Sequence, residues 1–252
     1  MPADNTYRVA KALGSGADAV IVDLEDAVLP TRKAAARDAM TEVLGRRRQA
    51  PEDPIVLVRV NGLDSEHSQA DLVAVRALAS VRGVVMPKAD RETLERLPAE
   101  GLPCVIALIE TAAGVLDAAD IARLRIVGAL MLGTVDLSTE LAFEVTADGP
   151  ELIYIRSHLV LAAAAAGLPS PIDGVWPDVD DSEGLRREAA MARRLGFGAK
   201  ACIHPRQLDV VHRAFAPSER ELAWAAKVVA AFETAERAGR GATAVGGQMV
   251  DR

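Results

Sequence analysis

Seven short apolar, β-branched runs recur along the chain, each separated from the next by a stretch of helical composition. They are Ala19-Val-Ile-Val-Asp23, Pro54-Ile-Val-Leu-Val-Arg59, Gly83-Val-Val-Met-Pro87, Cys104-Val-Ile-Ala-Leu-Ile-Glu110, Ala129-Leu-Met-Leu-Gly133, Pro171-Ile-Asp-Gly-Val175 and Ala199-Lys-Ala-Cys-Ile-His204. Nearly continuous rather than alternating hydrophobicity marks strands buried on both faces, which means a parallel sheet covered by helices. An α/β fold follows. Helices are expected over Thr6–Leu13, Thr31–Arg48, Asp64–Ala79, Glu151–Ala166, Asp181–Leu195 and Ser218–Ala238, with Gly167 and Gly196 as stop signals. Thr6–Leu13 should follow a strand, so the first strand is expected to be shortened to a stub.

The C-terminal end of each run carries side chains able to do chemistry: Asp23-Leu-Glu25-Asp26, Arg59-Val-Asn61, Lys88, Glu110-Thr111, Asp136, Asp173 and His204. Seven such ends in succession predict a TIM (β/α)8 barrel, whose active site gathers at the C-terminal face. A doubly wound open sheet also binds ligands at strand ends, but around one switch point, and no GxGxxG or Walker pattern occurs. The barrel is expected over residues 1–240, followed by a C-terminal turn and tail over 241–252.

A net charge of −7 speaks against nucleic acid as a partner. The longest bland run, Leu159 to Leu168, covers half a bilayer, and no signal peptide is visible at the first residues, so a cytoplasmic protein is expected. Cys104 and Cys202 lie in apolar runs without metal-finger spacing and read as reduced core residues.

Glu110 and Asp136 are the metal candidates, because carboxylates at adjacent strand ends can share a hard divalent cation, magnesium before manganese. The alternative for each is a helix cap or an ion pair. Arg59 is carried toward the barrel mouth, where its fork can clamp a carboxylate or pair with Asp23, Glu25 or Asp26. Those three carboxylates read as supports for metal-bound water or for Arg59, or as a helix-capping turn. Lys88 reads as an ion-pairing or ligand-contacting lysine rather than a Schiff-base former, since nearby carboxylates would favour its charged form. His204 is a ligand contact or a satisfied structural histidine.

Taken in order, Val-Asp23-Leu-Glu25-Asp26, Val-Arg59-Val-Asn61, Met-Pro87-Lys88, Leu-Ile-Glu110-Thr-Ala-Ala-Gly114, Leu-Gly133-Thr-Val-Asp136, Ser-Pro-Ile-Asp173-Gly and Ile-His204-Pro-Arg-Gln207 resemble the citrate lyase β subunit-like CoA ester lyases. That group lies in the HpcH/HpaI aldolase superfamily, with barrels of the phosphoenolpyruvate/pyruvate type. The resemblance implies a Mg2+-dependent homo-oligomer, trimer or hexamer. It would cleave a 3-hydroxyacyl-CoA such as citryl-, citramalyl- or malyl-CoA to acetyl-CoA and a 2-oxoacid through a metal-stabilised enolate. It implies Glu110 and Asp136 as ligands and Arg59 as the substrate arginine. Asp23, Glu25, Asp26, Asn61, Lys88 and His204 become substrate, coenzyme A or supporting positions. Gly246-Gly-Gln-Met-Val-Asp251 resembles the family's C-terminal turn, making Asp251 an acid/base acting in a neighbouring subunit.

Three departures stand beside that likeness. The family's opening Arg-Ser-x-Leu-Phe-Val-Pro strand has no counterpart before Thr6, the sequence ends at Arg252 just after the turn, and Val135 stands where many members have Glu. Alternative readings are a malyl- or citramalyl-CoA thioesterase, a malate synthase-like condensing enzyme, or a non-catalytic truncated subunit.

Overall fold

The computed structural model describes residues 1–47, 50–97, 101–146 and 149–251, and the chain divides into two compact units, 1–214 and 215–252. Each apolar run becomes a strand of the first unit: β1 (Ala19–Asp23), β2 (Ile55–Arg59), β3 (Val81–Met86), β4 (Cys104–Ile109), β5 (Val127–Leu132), β6 (Ile172–Asp173) and β7 (Ala199–Lys200). They pair in chain order and all in parallel. Residues 1–3 add a short rung beside β1, where Pro2 bridges Asp23 and the Ala3 N–H donates to the Asp23 carbonyl at 2.9 Å.

Helices cover the outer face: α1 (Thr6–Leu13), α2 (Lys33–Gly45), α3 (Ser68–Arg76), α4 (Arg91–Glu95), α5 (Ala112–Leu116), α6 (Ala118–Ala122), α7 (Thr134–Leu141), α8 (Ile153–Ala166), α9 (Ser182–Leu195) and α10 (Leu208–Phe215). Asn5 and Asp181 accept backbone N–H groups at the starts of α1 and α9, and left-handed Gly167 and Gly196 close α8 and α9. The helix expected from Thr31 starts two residues later, behind a 3₁₀ turn, and its expected end at position 48 lies outside the described residues.

Strand pleat decides what faces the barrel axis, because successive side chains point to opposite faces. Ile21, Leu57, Val85, Ile106, Leu108, Ala129, Met131, Ile172 and Ala201 form one interior cluster. Since β1 and the end of β7 both pack on that cluster, the sheet is curled into a TIM-type barrel wall. The alternate residues, among them Val20, Val22, Val56, Val58, Val84, Val105, Ala107, Leu130 and Leu132, are buried too, on the face the helices cover. Cys104 and Cys202 are free thiols, but neither is a core residue. Cys104 opens β4 at the exposed N-terminal rim, and Cys202 is half-buried beyond β7.

Residues two further along the inward register are Asp23, Arg59, Glu110 and Gly133, so the pleat carries these into the mouth. Asp173 and Lys200 fall on the opposite parity and point at the helices. There they meet Arg156 of α8 and Glu188 of α9. Arg156 grips Asp173 (2.9 Å) and Glu188 (2.7 Å), while the Lys200 Nζ donates to Asp173 (2.8 Å) and Glu188 (2.6 Å). Two cations and two anions, all buried, balance between sheet and helices. The expectation that Asp173 serves the mouth is therefore corrected by its outward register.

The second unit contains α11 (Glu219–Arg237) and the antiparallel hairpin β8 (Ala242–Val245) and β9 (Gln248–Asp251). Ser218 and Glu221 close a capping box at the start of α11. Gly246 and Gly247 have φ of 58° and 82°, the pair of left-handed residues that a two-residue hairpin turn demands.

Removing one member of the balanced quartet strands a charge in a dry interior, which costs roughly 3–5 kcal/mol. Arg156→Met should lose about that much in urea unfolding. A loss below about 1 kcal/mol would show that Lys200 alone compensates both carboxylates.

Candidate active site

Asp23 and Arg59 are register partners at the ends of β1 and β2. The guanidinium lies flat on the carboxylate, with Nε to Oδ1 at 2.8 Å and Nη2 to Oδ2 at 2.5 Å. Asp23 also accepts the N–H groups of Glu25 (2.9 Å) and Ala27 (3.3 Å), so one carboxylate both shapes the turn after β1 and orients the arginine. Burial pushes the Asp23 carboxyl up, but the hydrogen bonds and charge of Arg59 outweigh it and hold the group below the ordinary aspartate range. Arg59 remains cationic at any physiological pH; burial opposes its charge, and Asp23, Glu25 and Asp26 more than restore it.

Arg59 Nη1 lies 2.8 Å from Glu25 Oε2 and 3.8 Å from Asp26 Oδ2. Among the described residues the Glu25 Oε2 oxygen has no hydrogen-bond donor, so this contact is Coulombic. Lys33 at the start of α2 supports the turn from below, donating to the carbonyls of Leu24 and Glu25, each at 2.7 Å. Asp26 is exposed.

Glu110 follows β4 directly and is buried. Its Oε1 accepts the Lys88 backbone N–H at 2.8 Å. To aim that N–H, Lys88 adopts φ of 46°, a left-handed conformation that costs a non-glycine residue on the order of 1 kcal/mol or more. The Lys88 side chain is exposed, so its recorded contact with Glu110 is through the backbone. Across from it, Gly133 leaves the room Glu110 occupies: a Cβ there would lie 2.5 Å from the Glu110 Cβ and 2.7 Å from Oε2.

Asp136 is not on a strand end as expected; it lies in the first turn of α7, which starts at Thr134 behind its cap residue Gly133 after β5. Thr111, not Glu110, is the helix cap after β4, accepting the Gly114 N–H at 3.0 Å. Glu110 is thereby left free for the mouth. Burial pushes its carboxyl up to about 7, with the Lys88 N–H pulling it down and the charges of Asp136 and Glu25 adding to the rise. Glu25 is pushed up to about 7 as well, by burial first, with Arg59 opposing and Asp26 and Asp23 adding. Glu25, Glu110 and Asp136 thus form one negative field that Arg59 alone does not neutralise.

The other expected residues are placed elsewhere. The Asn61 amide N–H2 donates to the Leu24 carbonyl (2.9 Å) and to Asp71 (2.5 Å), and Asp71 is held by Arg37 at 2.9 Å, so Asn61 ties the β1 and β2 loops together from inside. His204 lies four residues beyond β7, exposed, with Nδ1 accepting the Arg206 N–H at 3.1 Å in a capping box closed by Gln207. Asp251 ends β9 of the second unit, paired with Ala242. Sequence reading missed Lys33, Arg156, Glu188 and Glu140. Arg156 had a signal, a lone charge in the apolar stretch Ile153-Tyr-Ile-Arg156. So had Glu140, which stands four residues after Asp136 and hence on the same helix face.

Oxygen donors without thiol or imidazole suit a hard cation. Among the described residues there is no cluster of three His, Cys, Asp or Glu side chains. Two carboxylates are a small set, of the kind magnesium accepts because it keeps water at several positions.

Raised carboxyl pKa values give a testable pH dependence. A native carboxyl near 7 holds its proton where the unfolded group, at 4.5, has lost it, so the penalty for charging grows as pH rises from about 4.5 to 7. Glu25 and Glu110 should make the protein in chelator more stable at pH 5.5 than at 7.5. Glu110→Gln should flatten that difference in urea titrations; an unchanged slope would place the titration elsewhere.

Residues 1–205 match the HpcH/HpaI aldolase/citrate lyase family. A (3S)-malyl-CoA thioesterase of Cereibacter sphaeroides is 38% identical over 258 residues, spanning 100% of this chain and 87% of the relative. A citrate lyase subunit beta-like protein of Mycobacterium tuberculosis is 40% identical, spanning 99% of this chain and 88% of that one. Among solved structures, the CitE protein of M. tuberculosis in complex with magnesium, acetoacetate and coenzyme A superposes with a TM-score of 0.82 at 39% identity, covering 100% of this chain and 91% of that chain.

Proposed function

Because the chain belongs to the HpcH/HpaI aldolase/citrate lyase family, we propose that it is a magnesium-dependent lyase acting on a 3-hydroxyacyl-CoA of citryl-, citramalyl- or malyl-CoA type. Its products are acetyl-CoA and a 2-oxoacid. The observation that carries the reading is the surplus of buried carboxylate at the mouth, where Glu110 is pushed up to about 7 beside Asp136 and Glu25. The M. tuberculosis complex with magnesium and coenzyme A supports it. Glu110 and Asp136 would hold the cation. Bound there, the cation supplies positive charge for the substrate's carboxylate and hydroxyl oxygens.

The chain's own residues do the rest. Asp23 keeps the Arg59 fork in one plane, so its charge meets the thioester oxygen without reorganising as negative charge develops there. Lys88, exposed beside the mouth, offers an ammonium to the coenzyme or to a carboxylate. Cleavage removes the hydroxyl proton, breaks the bond between the hydroxyl-bearing carbon and the carbon next to the thioester, and passes that electron pair toward the thioester oxygen. The departing acetyl carbon then takes up a proton. Asp251, reaching a neighbouring subunit's mouth in a homotrimer or hexamer, is the proposed proton carrier.

A second reading, hydrolysis of malyl-CoA to malate and free CoA, is favoured by the thioesterase names of several relatives. Incubation with Mg2+ and citryl-, citramalyl- and malyl-CoA separates the two. Acetyl-CoA with a 2-oxoacid, lost in chelator and in Glu110→Gln, is the expected result; free CoA with intact hydroxyacid would replace the lyase reading by the thioesterase. Arg59→Lys keeps the charge but not the two-point bond to Asp23. Its kcat/KM should fall about 100-fold, as misplaced catalytic groups typically do.

A further inference from the structure

Asp136 is placed by a helix rather than by the sheet, so the gap between it and Glu110 depends on what holds α7. At its start, the Gly133 N–H donates to the Ile109 carbonyl at 2.9 Å, fixing the helix to the strand that precedes Glu110. A helix tied at one end can still swing about that end. A second tie exists near the other end. Both carboxylate oxygens of Glu140 accept the Ala112 N–H, at 3.3 and 3.2 Å. Ala112 is two residues past Glu110, at the first position of α5, where the N–H has no partner inside its own helix. The next cap N–H there, that of Gly114, is already taken by Thr111.

Residues four apart on a helix share a face. The face of α7 that sends Glu140 to Ala112 is therefore also the one that carries Asp136, one turn back and nearer the Gly133 tie. The ties at Gly133 and Glu140 flank Asp136 and bind α7 to the segment on either side of Glu110. Swinging α7 outward would break the Glu140 bond first and open the gap.

We propose that Glu140 is a positioning residue whose bond to the Ala112 N–H sets the spacing of Glu110 and Asp136 for a divalent cation. This rests on the reading of those two carboxylates as metal ligands. Glu140 touches neither ligand and is exposed, so its loss should leave the fold intact.

Calorimetric titration of Mg2+, repeated with Mn2+, into the wild type, Glu110→Gln, Glu140→Ala and Glu140→Gln tests it, beside thermal unfolding of each in chelator. Glu140→Ala should weaken binding by roughly tenfold or more, the loss typical of removing a group that orients a ligand, with a melting temperature close to wild type. Glu140→Gln keeps an oxygen for the Ala112 N–H and should bind within about threefold of the wild type, a smaller loss than the same principle gives for a broken support. Equal losses in Glu140→Ala and Glu140→Gln would overturn the proposal, since the carboxylate would then act by its charge. Wild-type affinity in Glu140→Ala would overturn it while leaving the ligand pair standing, provided Glu110→Gln abolishes binding. Unchanged binding in Glu110→Gln would remove the ligand reading and the proposal together.

Discussion

Uncompensated negative charge at the barrel mouth is the constraint on which the rest of the site depends. Asp23 is matched by Arg59, oxygen for nitrogen, and its carboxyl is held low. Glu25 and Glu110 have no such match, and burial pushes both up to about 7. A folded protein tolerates such groups in two ways, by protonating them or by binding a cation. The chain commits structure to keeping Glu110 where it is: a left-handed Lys88 aims its N–H, and Gly133 gives up its side chain. Strain of that kind accumulates where function requires a geometry that stability alone would not select.

The quartet of Arg156, Asp173, Glu188 and Lys200 is the instructive contrast. It is as deeply buried as the mouth cluster, yet its two cations and two anions cancel in direct contact. Register alone separates the two. An inward residue at a strand end meets the mouth and a ligand; an outward one meets helices, which must supply the opposite charge. Asp23 and Asp173 are both aspartates that close apolar strands, and one position of pleat sends them to different tasks.

This is also why the sequence was legible in some places and not in others. Nearly continuous hydrophobicity marked the first five strands, which are buried on both faces; β6 and β7 are short and carry Asp173 and Lys200. The stop glycines Gly167 and Gly196 located the ends of α8 and α9. Strand-end chemistry pointed to Asp23, Arg59 and Glu110, whose inward parity can be counted from Ile21, Leu57 and Leu108. For Asp173 and His204 the same rule misled: β6 and β7 are two residues long, so parity there is set by tertiary pairing rather than by a visible run. Asn61 and Lys88 were read by their side chains. One serves as an internal tie, and the other meets Glu110 through its backbone N–H, a donor that every residue but proline possesses and no motif can single out.

The division between holding charge and moving a proton bears on which reaction such a mouth performs. Cleaving a carbon–carbon bond and hydrolysing a thioester both place negative charge on the thioester oxygen and both require the acid end of the substrate to be held. On the proposed reading, Arg59, Glu110 and Asp136 would serve either demand equally. Relatives named thioesterase and relatives named citrate lyase subunit beta-like lie at nearly the same identity to this chain, 38% and 40%, as expected if the charge-holding groups are common property. The reactions diverge at the next event: whether a base removes the substrate's hydroxyl proton or activates a water. Specificity of reaction therefore belongs to the group that meets the proton and to the access of water. In the proposed mechanism, the Glu110, Asp136 and Arg59 framework would set how strongly the developing charge is stabilised once that group has acted.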